Sequence, residues 1–308
     1  MKFAVETWAP EYGSSVDGSE LEQSAEAIDV KVEVPEGEWE PLSPDVDALE
    51  RPDSIAFVDG IRRIDARIWI TDEAGTRPGL CATVAAGVVV SEGNNAEVVD
   101  RKIDRGLYTA AIDAGDLVSK HATYWLRHVA DDTPEQAYLG VHNAMTSLEL
   151  EMSQSVPETA LVLFDGPLRG RTGENAVGFI KTQHRAYLEG DELAVMTRLE
   201  PGQRTPLFFI GGRFPRFSWY VRLPGDKPHP LAGVVRCERA GDSKTEVAAA
   251  VADLVAVEVQ RFASEPHKDT RAPQNLYPVA GLENDLRRHL GDPQLLERSL
   301  RVAALGVR

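Results

Sequence analysis

The chain has 308 residues, 43% hydrophobic and 27% charged, with a formal net charge of −16 at pH 7, the balance of a soluble globular protein of one large or two modest domains. No apolar run is long enough to span a membrane, and the opening MKFAVETWAPEYG lacks the apolar stretch of a secretory signal. Two cysteines, Cys81 and Cys237, exclude a disulfide scaffold and a cysteine-rich zinc site, and a cytoplasmic, reducing location is the expectation.

Residues 1–53 carry 15 acids and 3 bases, whereas the rest carries 34 acids and 30 bases. The acid excess therefore belongs to an N-terminal arm (1–53), and the body (54–308) is balanced enough to present a local basic channel. Within the arm, IDVKVEV (28–34) alternates like one strand, and EVPEGEWEPLSPD reads as loop. An acidic arm of this kind is either a solvated tail or a segment that shields a basic groove or meets a partner.

The body opens with SIAFVDG (54–60), IRRIDARIWITD (61–72) and GLCATVAAGVVVSE (79–92), three consecutive strands of an antiparallel meander. Residues 95–120 are mixed in polarity and contain turns. Apolar residues at helical spacing (Leu139, Val141, Met145, Leu148, Met152) predict a helix over 134–156. The apolar LVLF before Asp165 predicts a strand within 157–168, followed by a strand over 174–182 and a short helical piece around Tyr187 and Leu188. Three strands follow at 205–212, 216–224 and 231–239, then a long Ala/Val-rich helix at 244–264, a Pro/Asn loop at 271–278, and a helical stretch from about 280 to 304. The order is α/β with a mixed sheet flanked by helices, and it matches the ribonuclease H-like order of elements.

Two aspartates, Asp59 in IAFVDG and Asp165 in LVLFDG, each follow four apolar residues and precede glycine. A carboxylate at a strand's C-terminal end projects into a crevice, and two from neighbouring strands can share a divalent cation. Asp-Gly is also ordinary turn chemistry; the matched flanks are what favour a site. Glu149 lies beside the buried stripe of the predicted helix, four residues after Met145, and Glu151 is rotated away. Oxygen ligands without His or Cys clusters favour Mn²⁺ or Mg²⁺ over Zn²⁺, and paired ions of that kind hydrolyse phosphodiesters.

For the phosphates, Arg62 and Arg63 follow the first Asp-Gly, Lys181 ends the strand after the second, and Arg222 and Arg236 lie in later strands. A cation inside an apolar strand is either a phosphate ligand or half of a structural salt bridge. Phe217, Trp219 and Tyr220 either stack bases or fill the core. The chain has no GxxxxGK[ST] loop, so it is not expected to hydrolyse ATP itself, and no acid stands two residues after Asp59 or Asp165, unlike the DxD of many phosphatases.

The series FVDG (57–60), LELE (148–151), LVLFDGPL (161–168), GFIKT (178–182), TPLFFI (205–210), SWYVRLP (218–224), AGVVRCE (232–238) and NLYPVAGLENDL (275–286) resembles, in this order, the NurA nuclease family over roughly residues 54–300. That resemblance implies a ribonuclease H-like core and a manganese-dependent DNA nuclease of 5′ to 3′ direction. It further implies a homodimer, a HerA-type hexameric ATPase as partner, and a role in DNA end processing and repair or in antiviral defence. Carried over by position, Asp59, Glu149 and Asp165 are implied metal ligands; Lys181, from its place at the end of the strand after the second Asp-Gly, is the candidate for a catalytic contact with a phosphate near the metals. The family's first motif usually reads DGS, whereas Ile61 stands here in place of the serine. Its C-terminal helix often carries a histidine; the matching position falls near Asp285, with His289 one turn later, and Asp285 is the candidate fourth ligand. These departures leave open a catalytically weakened DNA-binding or regulatory subunit of the same assembly.

Overall fold

The computed structural model describes residues 2–5, 27–35, 37–72, 75–157, 160–169, 171, 173, 175–181, 187–227, 230–269 and 271–306. Among these, twelve strands form one mixed sheet. In chain order the strands are β1 (Lys2–Val5), β2 (Ile28–Asp29), β3 (Ile55–Asp72), β4 (Gly75–Glu92), β5 (Asn95–Thr109), β6 (Leu117–Val118), β7 (Thr123–His128), β8 (Leu161–Asp165), β9 (Ala176–Ile180), β10 (Phe208–Ile210), β11 (Arg216–Arg222) and β12 (Val234–Ala240). The helices are α1 (Pro134–Ser153), α2 (Gly190–Arg198), α3 (Thr245–Glu258), α4 (Tyr277–His289) and α5 (Pro293–Ala304), with a 3-10 turn over Val259–Phe262. None of them is long and apolar enough to cross a membrane.

The centre of the sheet runs β5-β4-β3-β8-β9, with β4 antiparallel to both neighbours and β3, β8 and β9 parallel. This is the ribonuclease H-like arrangement. The sheet then extends through β12, β11, β10 and β2, all antiparallel.

Residues 54–60 and 61–72 form one strand rather than two. β3 runs unbroken through Asp59-Gly60 because β4 pairs with it along its whole length, Asp59 standing opposite Gly87. A bulge between Ile64 and Ala66 shifts the register; there the buried Asp65 accepts from Arg63 (2.7 Å), Thr83 (2.5 Å) and Tyr124 (3.0 Å). Residues 95–109 are a strand, not turns: the first half of β5 is mostly exposed, so its polar positions masked the pattern. In the arm, Lys2–Val5 pairs with β3 and, of the expected strand over 28–34, only Ile28–Asp29 pairs, with β10. The expected final helix divides at Gly291 (φ +82°), where Asp292 caps α5 by accepting from the Leu295 amide at 2.8 Å and Pro293 opens it.

Alternation along the strands sorts the core into two layers. Ile55, Phe57, Leu161, Leu163, Val177 and Phe179 pack under α3 and the start of α4. Ala56, Val58 and Phe164 pack with Val141, Leu148 and Met152 of α1 on the other face. Part of the arm joins the body: Trp39 is buried among Leu188, Met196, Leu199 and Phe208, and Glu33 grips the buried Arg204 at 2.7 and 2.9 Å, with Asp253 at 2.6 Å. The rest of the expected arm, residues 6–26, lies outside the described residues.

Candidate active site

β3 and β8 pair only from Ile55–Leu161 to Val58–Phe164. One residue later β8 ends, and Gly166 (φ +100°) turns the chain away, a conformation that favours glycine. Asp59 and Asp165 are the residues at which the two strands part. Asp59 shares the parity of Ile55 and Phe57, and Asp165 that of Leu161 and Leu163, so both carboxylates emerge on the α4 face. α4 brings Glu283 to them. Carboxylate oxygens of Asp59, Asp165 and Glu283 all lie within 4.8 Å of one another.

The cluster is electrostatically tense. Burial, with the charge of Asp165 added, pushes the Asp59 carboxyl well above the usual range, against the opposing pull of Lys181. Burial also raises Asp165, although Lys181 donates to its Oδ2 at 2.6 Å. Lys181 reaches this face by the same alternation, following Val177 and Phe179, and its second contact, Asn275 Oδ1 at 2.7 Å, fixes it in place. Glu283 behaves oppositely: burial raises it, but the fork of Arg271 (3.1 and 2.9 Å), with Arg287 at 2.9 Å, holds it below the usual range. Three converging oxygen donors, two of them kept from ionising freely by burial and mutual repulsion, fit a hard divalent cation, which would relieve that repulsion.

Glu149 comes from the α1 face. A Cβ on Gly60 would lie 2.5 Å from its Oε1, so glycine is needed for the helix to bring this carboxylate against β3. Glu149 is buried and ion-paired with Arg171, also buried. Burial outweighs that partner and places its pKa at about 7. Glu149 therefore stands behind Asp59, engaged by an arginine, and is not one of the three converging donors.

Asp285 lies two residues from Glu283, which on a helix is the other side of α4. It pairs with Arg101 at 3.2 Å, and its carbonyl accepts from His289 Nδ1 at 2.8 Å. Glu283 takes the position in the cluster that the sequence suggested for Asp285. Its signal was present: Val279, Leu282, Leu286 and Leu290 form the buried stripe of α4, and Glu283 falls within it at four residues after Val279.

The basic candidates separate by face. Arg62 is exposed and meets His142 Nδ1 at 3.2 Å. Arg63 is spent structurally, on Asp65 and on the carbonyls of Leu290 (3.1 Å) and Gly291 (2.8 Å). Tyr220, Arg222 and Arg236 alternate with Trp219, Val221 and Val235, so they point away from the α4 face. Tyr220 is buried and stacked on Phe208 with ring centroids 5.8 Å apart, and the buried Arg222 bonds to the carbonyls of Thr197, Pro230 and Ala232; neither is available to a DNA strand. Arg236 is paired with Glu238 at 2.8 Å. Phe217 and Trp219 belong to the core. The residues that sequence reasoning passed over are Glu283, Arg271, Asn275, Arg171 and the pair His142 and Arg169.

No protein-family model matches the chain, and no curated protein matches it in sequence. Among solved structures it is similar to the NurA nuclease from Sulfolobus solfataricus, with a TM-score of 0.49 and 10% identity over 82% of this chain and 84% of that one. It is also similar to endonuclease V from Bacillus subtilis, with a TM-score of 0.32 and 11% identity over 80% and 86% of the two chains.

Proposed function

We propose that this protein is a divalent-metal-dependent nuclease that hydrolyses phosphodiester bonds in DNA. The observation that carries the reading is the convergence of Asp59, Asp165 and Glu283 within 4.8 Å, at the place where the sheet opens. Asp59, Asp165 and Glu283 would hold Mn²⁺ or Mg²⁺, and bound cations of this type activate water and stabilise the leaving oxygen of a phosphodiester. Lys181, steadied by Asn275, keeps Asp165 oriented and presents an ammonium beside the same carboxylate, where a backbone phosphate needs a cation. Arg271 and Arg287 lock the Glu283 carboxylate. Glu149, held by Arg171, keeps a carboxyl that exchanges its proton near neutral pH close behind Asp59.

The finer assignment follows the sequence resemblance. We place the chain as the nuclease of a HerA-type assembly, a homodimer cutting in the 5′ to 3′ direction on strands delivered by the ATPase, in end processing or defence. The test is cleavage of linear DNA by the purified chain with Mn²⁺, compared with EDTA and with Asp59→Asn. Metal-dependent cleavage that falls on the order of 10³-fold in the variant is expected, since metal-assisted charge stabilisation is worth several kcal/mol. Equal activity in Asp59→Asn and the parent chain would remove this site from the reaction.

A further inference from the structure

The cations that hold the acid cluster are themselves held by one carboxylate in the loop before α4. Asp269 is not among the three converging donors. Its Oδ2 accepts from Asn275 Nδ2 at 2.5 Å, and its Oδ1 accepts from the Arg271 amide at 2.8 Å and lies 3.6 Å from Arg271 Nε. Each of these partners leads to the cluster. Asn275 is fully buried and receives the Lys181 ammonium on Oδ1 at 2.7 Å, and Lys181 donates to Asp165 at 2.6 Å. Arg271 forks onto Glu283 at 3.1 and 2.9 Å. Two lines of polar contacts therefore start at Asp269 and end on two of the three converging acids.

The donor and acceptor chemistry of these lines runs one way. A side-chain amide offers an acceptor at one end and donors at the other, an ammonium only donates, and an ionised carboxylate only accepts. With its NH₂ on Asp269, Asn275 turns its oxygen to Lys181. The reversed amide would set oxygen against carboxylate oxygen and NH₂ against ammonium, so the charge on Asp269 selects the orientation that receives Lys181. Burial raises the Asp269 carboxyl, but the bonds from Asn275 and the Arg271 amide hold it below the usual range. Both of its oxygens face N–H groups, so an asparagine in its place, with one acceptor, would turn its own NH₂ toward one of two donors. We propose that Asp269 is a positioning residue for the candidate metal centre. Through Asn275 it sets Lys181, through Arg271 it sets the fork on Glu283, and together these fix where Asp165 and Glu283 stand. The metal in this statement rests on the nuclease reading above. Groups that orient a ligand's own partners affect metal affinity without touching the ion.

Two measurements on the full chain test it. The first is denaturant titration in EDTA of Asp269→Asn, Lys181→Met and the two combined, each with Asn275 present and with Asn275→Ala. With Asn275 present, the combined variant should lose less midpoint than the two single losses added together. With Asn275→Ala the losses should become additive, because the link runs through that amide, whereas direct attraction between the two charges would survive. The second is Mn²⁺ titration followed by the spin-resonance signal of the free ion. Asp269→Asn should bind Mn²⁺ about tenfold more weakly than the parent chain. Asn275→Ala, which leaves Asp269 its bond to Arg271, should weaken binding in the same direction and carries the test if Asp269→Asn does not fold. Glu265→Gln removes an exposed acid of the same loop, 3.4 Å from Lys268, and should bind as the parent does. Additive losses with Asn275 present, parental Mn²⁺ affinity in Asp269→Asn or Asn275→Ala, or an equal weakening in Glu265→Gln overturns the positioning role. A parent chain that shows the coupling in EDTA but binds no Mn²⁺ keeps the positioning of Lys181 by Asp269 and loses the metal-dependent reading.

Discussion

The two faces of the sheet at the Asp59-Gly60 step are built on opposite electrostatic plans. On the α4 face three carboxylates converge, and Lys181, Arg271 and Arg287 compensate them only in part, so Asp59 and Asp165 remain hard to ionise. On the α1 face Glu149 is accompanied by Arg171, with Arg62, Arg169 and His142 beyond it. Among the described residues, one face gathers carboxylates and the other guanidinium groups. A single backbone step separates them because Gly60, without a side chain, lets α1 approach β3 closely. On the reading proposed above, a divalent cation would supply the positive charge that the α4 face lacks.

The comparison is broken most severely by removing a charge from either face. On the α4 face, Glu283→Gln should lower metal-dependent cleavage on the order of 10³-fold, while Asp285→Asn, which loses part-exposed contacts with Arg101 and His289, should change it less than about threefold by the usual value of a surface ion pair. Rates measured side by side on one DNA substrate decide between the two acids. On the α1 face, Arg171→Met strands the buried Glu149 without its partner, and a loss of about 3–5 kcal/mol in unfolding free energy is expected from denaturant titration. Adding Glu149→Gln to Arg171→Met should recover much of that loss.

Subtler effects sharpen the contrast. The folded-state pKa of Glu149, about 7, lies above its ordinary value of 4.5, so the folded chain binds the extra proton throughout that interval. The stability this proton contributes is full below about 4.5 and is lost as pH rises through about 7. Asp59 acts in the same direction. Melting curves in EDTA should therefore fall with rising pH across this window, Glu149→Gln should flatten the fall, and added Mn²⁺ should raise the melting temperature most at the high-pH end, where the carboxylates are charged. In the same assay Asp59→Asn should melt higher than the parent in EDTA, since it removes a buried charge while keeping an acceptor for the Gly60 amide (2.8 Å), and should lose the response to Mn²⁺. Smallest of all, Gly60→Ala should cost about 1–3 kcal/mol by overpacking against Glu149 and Met145.

Much of this was legible in local pattern. The apolar runs before Asp59 and Asp165 have the same length and parity, and parity alone sets both carboxylates on one face of adjacent strands. The stripe of α1 gave Glu149 its place beside the sheet, and the alternation of β9 gave Lys181 its face. The same alternation turns Tyr220, Arg222 and Arg236 away, a consequence that follows once β11 and β12 are known to share the sheet with β9. Glu283 was marked by the stripe of α4 as clearly as Glu149 was by that of α1.

Periodicity is a property of a few consecutive residues, so the sequence alone determined which side chains share a face of a strand or helix, and with it the pairing of Asp59 with Asp165. It contains no measure of how far a neighbouring strand continues or how a helix is rotated when it docks. Those were decided in the tertiary structure: β4 holds β3 straight through Asp59 while β8 ends, and Leu282 and Leu286, packed against Ala85 and Ile61, turn Glu283 inward and Asp285 toward Arg101. The meeting of Arg62, His142 and Arg169 has the same origin, since three elements distant along the chain must be docked before their charges can face one another.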